Sequence, residues 1–212
     1  MRCLDFAMHE EALTKKAAEL FPLFSKFRRF YLVGGTALAL QIGHRISVDF
    51  DFFTSEKLSL ALLQQVKRVF SGHSLSVTYR APEQLNVLID NVKTTFFRYP
   101  YPVVDECMGY KMVSIATTRE IAAMKAFAVG KRLAYKDYVD WYFLLNEEHV
   151  DLQEVIRHAK KKFGDDFNDR LFLGQLVSPE DIPTQKIDFL RGKVSRSIIV
   201  SFLKKTVRRF KL

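Results

Sequence analysis

The sequence lacks the features that mark secreted, membrane and zinc-binding proteins. Its two cysteines, Cys3 and Cys107, have neither disulfide nor metal-ligand spacing, which indicates incidental thiols in a reducing cytoplasm. Its five histidines form no cluster, so no zinc site is predicted. The N-terminus is acidic where a signal peptide would be apolar, and the longest uncharged apolar run, Tyr31 to Gly43, is too short to span a membrane. We therefore expect a cytoplasmic protein with no membrane partner.

Acidic residues are scarce towards the C-terminus. The net charge is +9, and nine basic residues between Lys186 and Lys211 are opposed only by Asp188. The stretch from Val194 to Phe210 predicts a basic amphipathic helix with an inward apolar stripe. The stripe consists of Ile198, Phe202, Leu203 and Val207. This surplus of positive charge favours a polyanionic partner, although a basic surface without a partner fits the same composition.

The sequence does contain one organising stretch, residues 30–53, which reads FYLVGGTALALQIGHRISVDFDFF. An aromatic and β-branched run breaks at Gly34-Gly35-Thr36, continues as an apolar stretch to Ile42, and later reaches a strand-like segment with Asp49 and Asp51. This order predicts a strand, a glycine-rich turn, a helix and a second strand. The abundance of phenylalanine, 19 residues in all, predicts an aromatic core.

The two aspartates and the glycine turn are the parts of this stretch that suit chemistry. Side chains two residues apart in a strand share a face, so Asp49 and Asp51 would stand together while Val48, Phe50 and Phe52 fill the opposite face. Adjacent carboxylates repel, and Mg²⁺ relieves this by binding one or two carboxylates with substrate phosphates. Glycines let a ligand approach the backbone, and amides at a helix start attract phosphate. The combination favours phosphoryl or nucleotidyl transfer. The alternative is a structural turn beside a solvated strand edge.

The stretch GGTALALQIGHRISVDFDFF resembles the AbiEii/AbiGii toxin group of the polymerase-β-like nucleotidyltransferase superfamily. Gly35-Thr36 matches the Gly-Ser or Gly-Thr turn of that superfamily, and Asp49 with Asp51 matches its Asp-x-Asp strand. Arg45 and Ser47 resemble the Arg-x-Ser of the AbiEii version. The resemblance implies a metal-dependent transfer of a nucleotide from a nucleoside triphosphate (NTP) to an acceptor hydroxyl.

The same resemblance extends into the second half of the chain. AbiEii-like proteins carry a Glu-x-x-x-x-Lys helix followed by a basic-Asp-x-x-Asp helix, and the matching residues are Glu120, Lys125, Lys136-Asp137 and Asp140. The resemblance implies that Lys125 stabilises phosphate charge and that Asp137 activates the acceptor or orients Lys125. From the residues alone, Lys125 also fits a snorkelling helix residue, and Asp140 also fits a surface ion pair with Lys136.

One departure from the superfamily pattern concerns the third carboxylate that a neighbouring strand commonly supplies. The strand predicted from Val92 to Tyr99 contains no acid, and Asp90 in the preceding hairpin turn is the only acid between Gln84 and Val104. Three alternatives follow. Asp90 substitutes, or the two strand aspartates act with Asp137, or catalysis is impaired.

The predicted fold class is α+β, with a nucleotidyltransferase-like mixed sheet flanked by helices and an all-α C-terminal part. We predict an α/β domain over residues 1–110 and a helical domain over residues 111–212. Strands are expected at residues 74–80, 85–90 and 92–99, and a helix over residues 8–28 is expected to split at Pro22. In the second half, Thr117 and Glu120 have capping-box spacing at a helix start, and Gly130 and Gly164 are predicted helix stops.

The functional prediction is a nucleotidyltransferase that uses Mg²⁺ or Mn²⁺ and an NTP, acts on an RNA acceptor such as tRNA, and serves as the toxin opposite a cognate antitoxin protein. The predicted catalytic residues are Asp49, Asp51, Lys125 and Asp137. The predicted nucleotide-binding residues are Gly34, Gly35, Thr36, Arg45 and Ser47, and the metal ligands are Asp49, Asp51 and Asp90. A non-catalytic nucleotide- or nucleic-acid-binding module is the alternative. An antibiotic-modifying transferase is disfavoured, because cationic drugs call for an acidic acceptor site.

Overall fold

The structure, a computed structural model, describes residues 8–129, 134–178, 182–183 and 185–210. These residues divide into two compact units. Unit 1 extends to Pro102 and includes Glu106–Thr117, and unit 2 consists of Val103–Asp105 and the chain from Thr118 onward. Within the described ranges, no helix is both long and apolar enough to cross a lipid bilayer.

Unit 1 is built on a seven-stranded mixed sheet with the order β3-β4-β5-β2-β1-β7-β6. The strands are β1 Tyr31–Val33, β2 Phe50–Thr54, β3 Leu75–Ala81, β4 Gln84–Ile89, β5 Val92–Arg98, β6 Met108–Tyr110 and β7 Val113–Ile115. The central strand β2 pairs antiparallel with β1 and parallel with β5. The three strands predicted between residues 74 and 99 are thus confirmed, and β4 and β5 meet at a tight turn.

The helices of unit 1 cover one face of this sheet with aromatic side chains. They are α1 Lys15–Leu20, α2 Gly34–Ile42 and α3 Leu62–Val69, with 3-10 turns at Glu10–Ala12 and Phe21–Lys26. The predicted split at Pro22 is confirmed, because α1 ends before it and a 3-10 turn follows. Phe24 lies at the centre, with ring centroids 4.5 Å from Phe52, 4.9 Å from Phe50 and 5.1 Å from Phe70. The predicted aromatic core is therefore present.

Unit 2 is helical. Its helices are α4 Thr118–Ala128, α5 Tyr135–Asn146, α6 Leu152–Phe163, α7 Asp169–Leu176 and α8 Arg196–Arg209, with a 3-10 turn at Gly164–Asp166. Gly164 follows α6 with a φ of 56°, which confirms this residue as the helix stop. The predicted stop at Gly130 lies outside the described residues. The predicted α+β class with a helical C-terminal part is confirmed.

Two local predictions are wrong, and one hairpin was not predicted. β2 begins at Phe50, so Asp49 immediately precedes the strand, and Val48 is 53% exposed because it lies before the sheet. The hairpin of β6 and β7 was not predicted, since each strand has only three residues and is defined by pairing with β1. In α8, Ile198 is 53% exposed, and Ile199 with Leu203 forms the buried stripe.

Candidate active site

The glycine turn lies directly against one of the two aspartates. Gly34 has a φ of +73°, a conformation that other residues rarely adopt. A Cβ atom built on Gly34 would lie 2.8 Å from Asp51 Oδ2, so only glycine leaves room for this carboxylate. The close approach places the Asp51 carboxylate beside the N-terminus of α2, where the partial positive charge of the helix favours an anion.

The second glycine accommodates a cation. A Cβ atom on Gly35 would collide with Nη2 of Arg45, so the guanidinium lies against the first turn of α2. Arg45 is buried and donates a hydrogen bond from Nη1 to the carbonyl oxygen of Ile46 at 3.2 Å. A guanidinium beside the positive end of a helix gives this turn two sources of positive potential, an arrangement that suits a phosphate group.

Thr36 and Ser47 connect the turn to the aspartate segment. Both residues are buried, and their hydroxyl oxygens are 2.7 Å apart. The Thr36 hydroxyl also donates to the carbonyl oxygen of Asp49. These contacts fix the backbone of Asp49 relative to the start of α2. Direct contacts of Thr36 and Ser47 with a triphosphate stay a prediction.

The aspartate pair fits a divalent cation of the magnesium type. Asp49 and Asp51 are both half-buried, with the buried side chain of Phe50 between them in the sequence. Two partly exposed carboxylates suit Mg²⁺, which completes its shell with water and phosphate oxygens. In the register of the sheet, the β5 residue opposite Asp51 is Thr95. Among the described residues, no group of three histidine, cysteine or acidic side chains is placed to hold a metal ion.

The structure does not bring Asp90 to the aspartate pair. Asp90 lies in the turn before β5, and even Val92 at the strand start is three residues, about 10 Å, from Thr95. Its carboxylate accepts hydrogen bonds from the backbone amide of Ser74 at 2.8 Å and from His73 Nδ1 at 2.8 Å. The His73 bond holds the pKa of Asp90 well below its usual range. Asp90 therefore stabilises the β3–β4–β5 corner of the sheet.

In unit 2, Lys125 forms a buried ion cluster with two acids of α5. Its ammonium lies 2.8 Å from Asp137 Oδ1 and 2.6 Å from Asp140 Oδ2, and all three side chains are at most 4% exposed. Burial lowers the pKa of Lys125, but the carboxylates of Asp140 and Asp137 outweigh burial and hold it above its ordinary value. The snorkelling alternative for Lys125 and the surface pair between Asp140 and Lys136 are both wrong, because Asp140 is fully buried against Lys125.

A second buried cluster centres on Glu120, which the sequence offered both as a capping-box residue and as the glutamate of the family's Glu-x-x-x-x-Lys helix. Its carboxylate accepts hydrogen bonds from Lys162 Nζ at 2.6 Å, from His158 Nε2 at 2.7 Å and from the amide of Val104 at 3.3 Å. Burial raises the pKa of Glu120, but the bonds from His158 and Lys162 hold it below its ordinary value. For its two partners on α6, the only sequence signal was the i,i+4 spacing of His158 and Lys162.

The predicted site residues thus fall into two groups. Unit 1 gathers Gly34, Gly35, Thr36, Arg45, Ser47, Asp49 and Asp51 around the start of α2. Unit 2 gathers Lys125, Asp137 and Asp140 into one ion cluster. The roles assigned to these residues in nucleotide transfer stay predictions.

Comparison with known proteins finds a family and a fold. Residues 18–106 and 73–210 match the family described as nucleotidyl transferase AbiEii toxin, type IV TA system. An uncharacterized protein of Aquifex aeolicus strain VF5 is 37% identical over 139 residues, which is 63% of this chain and 66% of that protein. The matched part is thus slightly under two thirds of the relative's length.

Two solved structures from Helicobacter pylori share the fold. One is a crystal structure of a proposed nucleotidyltransferase, with a TM-score of 0.60 at 18% identity over 92% of this chain and 94% of that one. The other is JHP933, with a TM-score of 0.51 at 16% identity over 93% of this chain and 95% of that one. At such low identity the likeness shows a common fold.

Proposed function

Because the chain belongs to the AbiEii nucleotidyltransferase toxin family, we propose that it transfers a nucleotide from an NTP to the hydroxyl of an RNA acceptor. The observation that carries this proposal is the turn at the start of α2. There Gly34 leaves room for the Asp51 carboxylate, and Gly35 leaves room for the Arg45 guanidinium. A metal-binding acid and a phosphate-binding cation on one turn are what nucleotidyl transfer requires.

In this proposal Asp49 and Asp51 hold Mg²⁺ or Mn²⁺, whose charge offsets that of the triphosphate when the metal is bound. Arg45 and the amides of the first turn of α2 bind phosphate oxygens. Thr36 and Ser47 keep the Asp49 segment in place through the Thr36 bond to the Asp49 carbonyl. Lys125 and Asp137 keep the roles that the family resemblance implies: Lys125 stabilises phosphate charge, and Asp137 activates the acceptor or orients Lys125.

The surface of α8 supports an RNA acceptor. From Phe189 to Phe210 the chain contains no acidic residue, whereas Lys193, Lys205, Arg208 and Arg209 are exposed and form no ion pair within the described residues. Lys204 is half-buried, and Lys211, the last of the nine basic residues, lies outside the described part of the chain. A row of exposed cations attracts a phosphate backbone without reading sequence, which suits a structured RNA such as tRNA.

A toxin role follows from the family. Its description names a type IV toxin–antitoxin system, so we propose that the protein acts in the cytoplasm as the toxin opposite a cognate antitoxin protein.

The test is transfer of label from each radiolabelled NTP to total tRNA in the presence of Mg²⁺. We expect one NTP to label the RNA, and Asp49→Ala to abolish labelling while the protein stays folded. Labelling at the wild-type level in Asp49→Ala would refute the proposed site. An exposed acid distant from the turn in sequence, Asp188→Asn, is the matched control that should leave labelling unchanged.

A non-catalytic nucleotide-binding module is the second candidate, and Thr95 is the observation that favours it. Thr95 occupies the β5 position opposite Asp51, where a carboxylate would complete a three-acid metal site. Tight metal-dependent NTP binding without transfer to any acceptor would support this candidate over the enzyme.

A further inference from the structure

The sheet face that carries Asp51 has a regular pattern of side chains. Cross-strand partners share a face, and the register of β2, β5 and β4 therefore gives two adjacent rows on this face. The first row contains Asp51, Thr95 and Asn86, and the second contains Phe53, Phe97 and Gln84. The second row lies two residues along β2 from Asp51, which is about 7 Å.

Four aromatic rings form a ladder that begins in the second row and continues beyond it. This aromatic ladder consists of Phe53, Phe97, Tyr99 and Tyr101. The ring centroid of Phe53 is 5.2 Å from that of Phe97 and 5.0 Å from that of Tyr99, and Tyr99 is 5.3 Å from Tyr101. The amide of Tyr99 donates to the carbonyl oxygen of Thr54 at 2.8 Å, so the pairing of β2 and β5 extends beyond the strand ends and holds the ladder in register.

The ladder differs from the phenylalanines on the opposite face in its exposure. Phe50, Phe52 and Phe96 are at most 1% exposed and fill the core, whereas all four rings of the ladder remain half-buried. Partly exposed aromatic rings cost hydration free energy that a flat ligand would recover by covering them. The ladder is thus a surface that suits a planar partner.

Two amides border the ladder on β4. Gln84 and Asn86 are half-buried, and Gln84 Nε2 donates to Asn86 Oδ1 at 2.9 Å. Within the described residues this is the only side-chain hydrogen bond of either amide. The Oε1 atom of Gln84 can therefore still accept a hydrogen bond, and the Nδ2 group of Asn86 can still donate. Amide side chains of this kind recognise the polar edge of a nucleobase.

We propose that this face binds a nucleobase, with the aromatic ladder stacking against the ring and Gln84 and Asn86 bonding to its edge. The inference rests on the proposed function, because a triphosphate bound at the α2 turn, with its metal ion at Asp51, would bring a nucleotide beside Phe53. The base belongs either to the NTP or to the terminal nucleotide of the acceptor, which share this chemistry. Stacking on aromatic rings tolerates any base, whereas the two amides give a preference among bases.

The test measures equilibrium binding of NTP and of inorganic tripolyphosphate, each with Mg²⁺, to the wild type and to Phe97→Leu. Leucine keeps apolar bulk at a half-buried position but removes the aromatic face. We expect NTP affinity to fall by roughly 5- to 100-fold, the range that loss of one stacked base produces, while tripolyphosphate affinity stays the same. Phe97→Trp should preserve NTP affinity, and Phe189→Leu, a half-buried phenylalanine of unit 2, is the matched control.

A second pair of probes identifies the source of the base. A short RNA with an intact 3′ nucleotide is compared with the same RNA ending in an abasic residue. If Phe97→Leu weakens only the intact RNA, the base belongs to the acceptor, and the inference stands.

Two outcomes overturn the inference and are distinguished by Asp51→Asn. If Phe97→Leu changes no affinity while Asp51→Asn abolishes metal-dependent NTP binding, the nucleobase site is refuted and the proposed function survives. If the wild type binds neither NTP nor tripolyphosphate, the nucleobase site and the proposed function are refuted together.

Discussion

In unit 1, Asp49 and Asp51 keep half-exposed carboxylates at the start of β2, whereas in unit 2 Lys125, Asp137 and Asp140 are buried and bonded to one another. Both groups consist of residues that match the family's motifs, and all of them except Asp140 are predicted catalytic residues. A half-exposed carboxylate is accessible to a ligand from solvent. The charges of a buried ion cluster have left water and depend on each other for solvation. The aspartates of unit 1 are therefore expected to act mainly in ligand binding, whereas the ion cluster of unit 2 also stabilises the fold.

Asp51→Asn is the sharpest way to test the unit 1 side of this comparison. We expect nucleotidyl transfer to fall by about 1000-fold or more, because the substitution removes half of the metal-binding charge. Stability should be unchanged or raised, since repulsion between Asp49 and Asp51 is relieved. Thermal unfolding and labelling of RNA are the two measurements. A strongly destabilised variant with normal activity would show that Asp51 is structural.

Lys125→Met tests the unit 2 side. Removing the ammonium leaves two buried carboxylates without a partner, so the free energy of unfolding should fall by about 3–5 kcal/mol. Urea unfolding followed by the fluorescence of Trp141, the sole tryptophan and a fully buried residue of α5, reports on this unit.

A triple variant controls for lost packing around Lys125. Combining Lys125→Met with Asp137→Asn and Asp140→Asn removes the orphaned charges and should recover much of the stability. Equal instability of the single and triple variants would mean that shape, and not charge, accounts for the loss.

Replacing Lys204, Lys205, Arg208 and Arg209 of α8 by glutamine should weaken RNA binding by roughly 10- to 100-fold at low salt. The plot of log K against log salt should become less steep by up to about 3, because fewer counterions are released. NTP binding at Asp51 should not change. The matched control replaces two lysines and two arginines exposed in unit 1, namely Lys15, Arg28, Lys67 and Arg68. If the salt plots of both quadruple variants are parallel to that of the wild type, α8 does not bind RNA and its charges only face solvent.

The smallest effect concerns the acid stability of unit 2. The pKa of Glu120 is held below its ordinary value of 4.5, so its interactions with His158 and Lys162 stabilise the fold above that pH. The contribution should be lost as the pH falls through the folded-state pKa. Unfolding free energies measured from about pH 5 downward through the folded-state pKa should therefore fall less steeply in Glu120→Gln than in the wild type. If the unfolding free energies of both proteins depend on pH with the same slope, groups other than Glu120 account for the acid sensitivity.

Local pattern was enough to predict much of the fold. The run from Phe30 to Val33, the glycine turn and the alternation up to Phe53 predicted β1, α2 and β2, because each depends on neighbours in the chain. The short β6 and β7 escaped prediction because three-residue strands exist only through pairing partners distant in sequence. Likewise, α8 was predicted, but its buried stripe was not, since Ile199 and not Ile198 packs inward.

The sequence by itself determined the chemical inventory: a glycine turn, an Asp-x-Asp pair, a lysine and two aspartates at helical spacing, and a basic C-terminal helix. Only the tertiary structure decided which of these side chains meet. It placed Asp51 against Gly34, put Thr95 opposite Asp51, left Asp90 at the far corner of the sheet, and closed Lys125 between Asp137 and Asp140. The reason is physical: spacing along a strand or helix fixes the face of a side chain, whereas its burial and partners depend on strand register and helix packing across the chain.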